Sequence, residues 1–155
     1  MTESTPAQPQ TMRLQGLANR VVRGLLATPV AGRGIGARLI TIYVVGRTSG
    51  RRFSVPVAYT HHGDALLVGT PFGWGKNLQT RTPVDIRLRG SRRTAEVEAF
   101  CDEETVVAHY AEICRRNAQF ARFNNIGIGA DGTPDAEDLH RAWQAGARSF
   151  LLRPR

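Results

Sequence analysis

The spacing of hydrophobic positions changes twice along the chain. Between Thr11 and Ala27 apolar residues recur at Leu14, Leu17, Val21 and Leu25, with Val22 and Leu26 beside them. Arg13, Arg20 and Arg23 occupy much of the remaining surface. This is the period of a basic amphipathic helix, which either packs its stripe on its own domain or lies on a membrane surface. Pro29 and the glycines at 32, 34 and 36 end it,. The glycine run GRGIGA follows a helix and precedes a strand, the reverse of a dinucleotide loop, and reads as a linker,.

From Arg38 to Phe100 the pattern becomes strand-like, with apolar runs at 39–45, 53–59, 65–69, 84–88 and 94–100 separated by turn signals,. Hairpin turns are predicted at 46–50, 62–64 and 90–91, with His61 and His62 exposed at the second,. A loop spans 71–75, and a short turn or helix at 76–81 leads into Pro83. Beyond Cys101 the period is helical again. Asp102 is a candidate N-cap, with Glu103 and Glu104 in the first turn and Arg115-Arg116 near the end of a helix over 102–116,. A polar, glycine-bearing stretch, NNIGIGADGTP, precedes a second short helix at about 135–145, and RSFLLR at 148–153 reads as a closing strand. The fold class is α+β: a mostly antiparallel small barrel or sandwich flanked by helices. Its predicted organisation is a disordered tail at 1–10, then one domain over 11–155. That domain comprises a helix and linker (11–37), core strands (38–100), helices (101–147) and the closing strand (148–153).

At 155 residues the chain is one domain's worth and long enough to bury a core unaided,. Its net charge of +8 changes the picture more than its size does. Lys76 is the only lysine, so the basic surface is built of arginine, which favours planar, bidentate oxyanions,. Residues 1–38, 39–100 and 101–155 carry about +4, +5 and −1, so the excess belongs to the first hundred residues. A nucleic acid, an anionic membrane surface or a polyanionic small molecule would each suit it. Exposed aromatics interleaved with basic residues, the mark of a nucleic-acid platform, are sparse: strands 39–45 and 53–59 offer only Tyr43, Phe53 and Tyr59,. Nucleic acid is therefore not expected as a partner. The polar opening residues lack a signal core, and no apolar run has the length of a membrane span,. A cytoplasmic setting with Cys101 and Cys114 as free thiols follows, peripheral membrane contact through 11–27 being the open alternative,.

The four histidines have no i, i+4 pairing, and HExxH, CxxC, GxSxG and phosphate-loop motifs are absent, so no metal site is expected and covalent hydrolysis is disfavoured,. A cofactor-binding barrel or a binding module remains. Two segments carry the candidate chemistry. Val45–Arg52, VGRTSGRR, is a tight turn whose amides, Thr48 and Ser49 hydroxyls and Arg47 and Arg51 guanidiniums can cradle a phosphate or carboxylate,. Gly69–Asn77, GTPFGWGKN, offers glycines for close backbone approach, Phe72 and Trp74 for a planar ring, and Lys76 and Asn77 for an anion or carbonyl,. On one face, the two would make a phosphate end and a ring end.

The run VGRTSGRRFSVPVAY, then VGTPFGWGKNL and the VDIRLRG strand, resembles the deazaflavin-dependent nitroreductase family, split-barrel oxidoreductases that use coenzyme F420. The resemblance covers roughly 39–100 and the closing RSFLLRP. It implies that Arg47, Thr48, Ser49, Gly50 and Arg51 contact the cofactor's phosphate and acidic tail. Val55 and Pro56 would line the ring through backbone groups, and Thr70 would place a hydroxyl near it. Trp74, Lys76 and Asn77 would lie along the groove. The implied chemistry is hydride transfer from the reduced deazaflavin to a small-molecule electron acceptor: a quinone, nitroaromatic or activated alkene. The protein would supply orientation and electrostatics rather than a catalytic nucleophile. Tyr110, Phe120, Phe123 and Trp143 are candidates for the acceptor wall, and a homodimer is implied by resemblance. FMN, FAD or haem in the same barrel is the alternative cofactor, and a basic nucleic-acid-binding barrel the alternative function.

Overall fold

A computed structural model describes residues 38–155. The helix and linker expected at 11–37, and the tail before them, lie outside the described residues. Seven strands form one antiparallel sheet: β1 (Leu39–Val45), β2 (Arg52–Ala58), β3 (Thr60–His62), β4 (Ala65–Thr70), β5 (Val84–Leu88), β6 (Ser91–Phe100) and β7 (Arg148–Pro154). Three helices accompany them: α1 (Glu103–Arg116), α2 (Ala118–Phe123) and α3 (Ala136–Gln144). The α+β class expected from the sequence is the observed one.

The strand order is β2-β1-β5-β6-β7-β4-β3. β2 and β3 occupy opposite edges of this sheet, yet only Tyr59 separates them in sequence. A one-residue link cannot span an open seven-stranded sheet at nearly 5 Å per strand, so the sheet must curl until its edges meet. The fold is thus a curled half-barrel, with no ladder between β2 and β3 among the described residues, and Tyr59, 3% exposed, is the corner at which the chain changes partners. The Tyr59 N–H still bonds the Arg38 carbonyl at 2.9 Å, the last rung beside β1.

Strand alternation fills the interior. Ile40, Ile42 and Val44 of β1 point inward with Val55 and Val57 of β2, Ile86 of β5, Val97 of β6, and Phe150 and Leu152 of β7. β4 differs from β1 in being buried along its whole length. Leu66 and Val68 face the barrel interior, while Ala65 and Leu67 face outward against Ile113 of α1 and Leu151 of β7. A strand covered on both faces reads as an unbroken apolar run rather than an alternating one.

Helix α1 starts where Asp102 accepts the Thr105 N–H at 2.9 Å, as its cap position requires,. Its buried stripe, Val106, His109, Tyr110, Ile113 and Cys114, has the spacing of one helix face,. Burial pushes the Cys114 thiol up to about 12, so it serves as a small hydrophobe,. Neither Cys114 nor the exposed Cys101 is bridged.

Four local expectations are corrected. The strand expected at 53–59 stops at Ala58 because Tyr59 turns the corner, and that expected at 94–100 begins at Ser91. The turn expected at 76–81 is instead a 3₁₀ turn over Gly73–Asn77. His62 is not simply an exposed turn residue: its Nδ1 meets the Glu112 carboxylate of α1 at 2.9 Å. Among the described residues no helix is long and apolar enough to cross a membrane.

Candidate functional site: an apolar cleft beside a basic hairpin

The hairpin joining β1 to β2 is built by its glycines. Gly46 N–H donates to the Arg51 carbonyl at 2.8 Å and Gly50 N–H to the Gly46 carbonyl at 2.9 Å. Gly50 has φ +68, a conformation that strongly favours glycine,. The Ser49 Oγ accepts the Arg51 N–H at 3.2 Å. A Cβ at position 46 would stand 2.7 Å from that oxygen, so the turn closes this tightly only with glycine there. Arg47, Thr48, Ser49, Gly50 and Arg51 are all exposed on this loop. Neither the Arg47 nor the Arg51 side chain has an ion-pair partner among the described residues.

The second segment leaves β4 through Thr70, whose Oγ1 accepts the Phe72 N–H at 3.1 Å and pins the turn. The 3₁₀ turn then presses inward. Trp74 stacks on Phe150 with rings 6.4 Å apart and 22° from parallel. At Gly75 a Cβ would meet Thr70 Cγ2 at 2.9 Å and the Phe150 ring at 3.1 Å. Asn77 ties the two segments together: its Oδ1 accepts the Arg47 N–H at 3.0 Å, and its Nδ2 donates to the Trp74 carbonyl at 3.1 Å. The two loops singled out in the sequence therefore do share a face.

Beside them lies a cleft of about 270 Å³, floored by Val55–Ala58 of β2 and Gly69–Phe72 and walled by α2. Of the residues singled out in the sequence, Val55, Pro56, Thr70 and Trp74 line it. Trp74 does so while 5% exposed, so it is a core residue that turns one edge to the cleft. Arg47, Thr48, Ser49, Gly50, Arg51, Lys76 and Asn77 are not in the lining. They lie on the hairpin and on the 3₁₀ turn that carries Trp74, with Lys76 exposed.

The far wall was only partly anticipated. Phe120 and Phe123 line the cleft as expected, and Phe123 meets Phe72 edge-on at 5.8 Å. Tyr110 and Trp143 do not line it. Tyr110 is buried behind the wall, edge-on to Phe120 at 5.0 Å. Its hydroxyl has no hydrogen-bond partner among the described residues, and burial raises its pKa well above the ordinary phenol value. Trp143 Nε1 donates to the Cys101 carbonyl at 2.9 Å, in the α1–α3 layer. Sequence reasoning missed Asn117, Gln119, Arg122 and Asn124, which complete the wall. The signal was Asn117, which ends α1 and caps α2 by accepting the Phe120 N–H at 3.1 Å,.

The wall stands close to the sheet because residue 69 is glycine. A Cβ there would lie 2.8 Å from the Tyr110 ring, 3.0 Å from Phe120 and 3.2 Å from Ile113. Among the described residues, histidine, cysteine, tyrosine and carboxylate side chains are absent from the lining. No group of three or more metal-ligating side chains occurs among the described residues.

No family model matches the chain, and no curated protein matches it. Among solved structures, it is similar to a pyridoxamine 5'-phosphate oxidase-related, FMN-binding protein from Nostoc punctiforme PCC 73102. The likeness spans 99% of this chain and 83% of that one, at 12% identity and a TM-score of 0.48.

Proposed function

We propose that the protein is a split-barrel oxidoreductase that binds a phosphorylated tricyclic redox cofactor, with coenzyme F420 as its occupant and FMN or FAD as the alternative. The observation that supports this reading is the 3.0 Å hydrogen bond from the Arg47 backbone N–H to Asn77, which ties the hairpin bearing two unpaired arginines to the turn whose Trp74 lines the apolar cleft. The cleft's volume is just below the range of small-molecule pockets, enough to enclose a planar ring and leave a charged tail outside,. A haem would lack an axial histidine, cysteine or tyrosine from the lining,.

The residues present fit such a cofactor. β2 has a sheet neighbour on one side only among the described residues, so backbone groups on its other edge near Val55 and Pro56 are open to a ring's polar atoms,. Thr70 spends its oxygen lone pair on the Phe72 N–H and keeps its hydroxyl proton to donate,. Arg47, Arg51 and the Thr48 and Ser49 hydroxyls would hold the phosphate and the acidic tail. The bound group supplies a hydride when reduced. The chain's own part is to fix the ring against β2, exclude water with Phe72 and Phe120, and leave the Phe123 side open to a quinone, nitroaromatic or activated alkene.

The test is a fluorescence titration of the protein with F420, FMN and FAD in parallel at physiological salt. Micromolar binding of F420 is expected, weakened about tenfold in Arg47→Ala and in Lys76→Ala, with both variants folded. Unchanged affinity in both variants would overturn the site assignment, and failure of all three cofactors to bind would overturn the function.

A further inference from the structure

The proposed function leaves one residue of the cleft unused. Arg122, on the α2 wall, is the only charged side chain in the lining among the described residues, and it is exposed. Its guanidinium has no ion-pair or hydrogen-bond partner among the described residues, whereas Arg141 is paired with Asp138 at 2.8 Å and Arg153 with Glu98 at 3.1 Å. With no carboxylate in the lining to neutralise it, the mouth of this apolar cleft is electropositive,.

The surroundings select for shape as well as charge. Phe123, 41% exposed, stands next to Arg122 in sequence and meets Phe72 edge-on across the opening. The Asn117 side chain, on the same wall, accepts the Phe120 N–H through Oδ1, which leaves its amide hydrogens to donate,. A flat aromatic body against Phe123, with an oxyanion on the planar fork of Arg122, satisfies both features. A neutral ligand of the same shape leaves the guanidinium to water.

We infer that Arg122 is a specificity-determining residue that makes the cleft selective, among planar acceptors of the proposed quinone, nitroaromatic or activated-alkene class, for those that also carry a carboxylate or phenolate. This rests on the oxidoreductase reading for the word acceptor, while the anion preference itself stands on the cleft alone.

The experiment uses naphthalene-2-carboxylate and naphthalene-2-carboxamide, two probes of one shape that differ in charge and have no redox chemistry. Each is titrated calorimetrically into the full chain, with and without the cofactor. The carboxylate is expected to bind about three- to tenfold tighter than the amide, the preference shrinking in 0.5 M salt. In Arg122→Gln the preference should vanish with the amide's affinity retained, and in Arg122→Lys it should survive in part. Equal affinity of the two probes for the unaltered protein would overturn the inference, as would a preference that persists in Arg122→Gln. Cofactor titration of the same samples separates the two readings. Cofactor binding without an anion preference removes only this inference. An anion preference without cofactor binding removes only the oxidoreductase.

Discussion

Among the described residues one side of the barrel is covered by helices and the other is not, and the two sides are held together differently. On the covered side, β4 is buried along both faces, and Leu67, fully buried, packs with Ile113 and Leu151. On the other side, the outward residue of β1 is Tyr43, flanked by the Arg52 and Arg92 guanidiniums at 5.1 and 4.6 Å from its ring. Arg87 donates to its hydroxyl at 3.3 Å and lowers the phenol's pKa, burial opposing in part. Asp85, bonded to Arg52 at 2.9 Å, is the one carboxylate of that cluster. Exposed contacts of this kind are each worth about 0.5–1 kcal/mol, whereas a fully buried leucine contributes about 1.5–3 kcal/mol. The cleft lies where the helical cover meets the sheet, on the well-packed side.

The largest expected effect tests whether packing divides so unequally. Phe150→Ala, beneath Trp74 and fully inside, should cost about 3–5 kcal/mol in urea unfolding,. Tyr43→Ala on the other side should cost less than about 1.5 kcal/mol. Similar losses would erase the distinction. Next is the helix–sheet contact itself. Gly69→Ala drives a methyl into Tyr110 and Phe120 and should cost about 1–3 kcal/mol, with weakened cofactor binding as α2 is pushed away,. Gly73→Ala, with open space around the added carbon, should change stability by less than about 0.5 kcal/mol,.

The smallest effect is one of pH. His109 of α1 bonds Ser149 of β7 at 2.8 Å, packs edge-on to Phe100 of β6, and meets the His62 ring at 5.5 Å. Burial lowers its pKa below the ordinary 6.5 and His62 lowers it further, with Glu112, Asp102 and Glu98 opposing. The unfolded chain therefore takes up this proton before the native one does. The stability His109 confers is complete above about pH 6.5 and is lost as pH falls toward the native value. Urea midpoints at about pH 7.5 and about pH 5.5 should separate more in the unaltered protein than in His109→Gln, and equal separations would remove His109 as the cause.

The barrel was legible in the sequence where one residue type implies one environment. In β1 the buried Ile40, Ile42 and Val44 alternate with the less buried Thr41 and Tyr43, as LITIYVV implies, and its bounds are those expected. Asp102 announced α1 because a cap acts through its immediate neighbours,. The corner at Tyr59 was illegible: nothing local distinguishes a residue that continues a strand from one that passes between sheet edges. Helix α2 is six residues long, too short for a periodic signal, so the wall it builds was seen only through Phe120 and Phe123,. Asn77 is expected along the groove, and the sequence does not show that its amide also joins the Arg47 N–H to the Trp74 carbonyl. That role depends on a partner thirty residues earlier, which spacing alone does not reveal.

The position of β7 between β4 and β6 has a consequence for the newborn chain. The ribosome delivers β1 to β6 and all three helices before the strand that joins the two halves of the sheet. Until Arg148–Pro154 has emerged, β4 and β6 each present an unpaired edge, Leu66 and Val97 among the residues waiting for Leu152. Such edges recruit foreign strands. The nascent protein passes through an interval in which it is adhesive, and the arrival of a single seven-residue strand ends that interval.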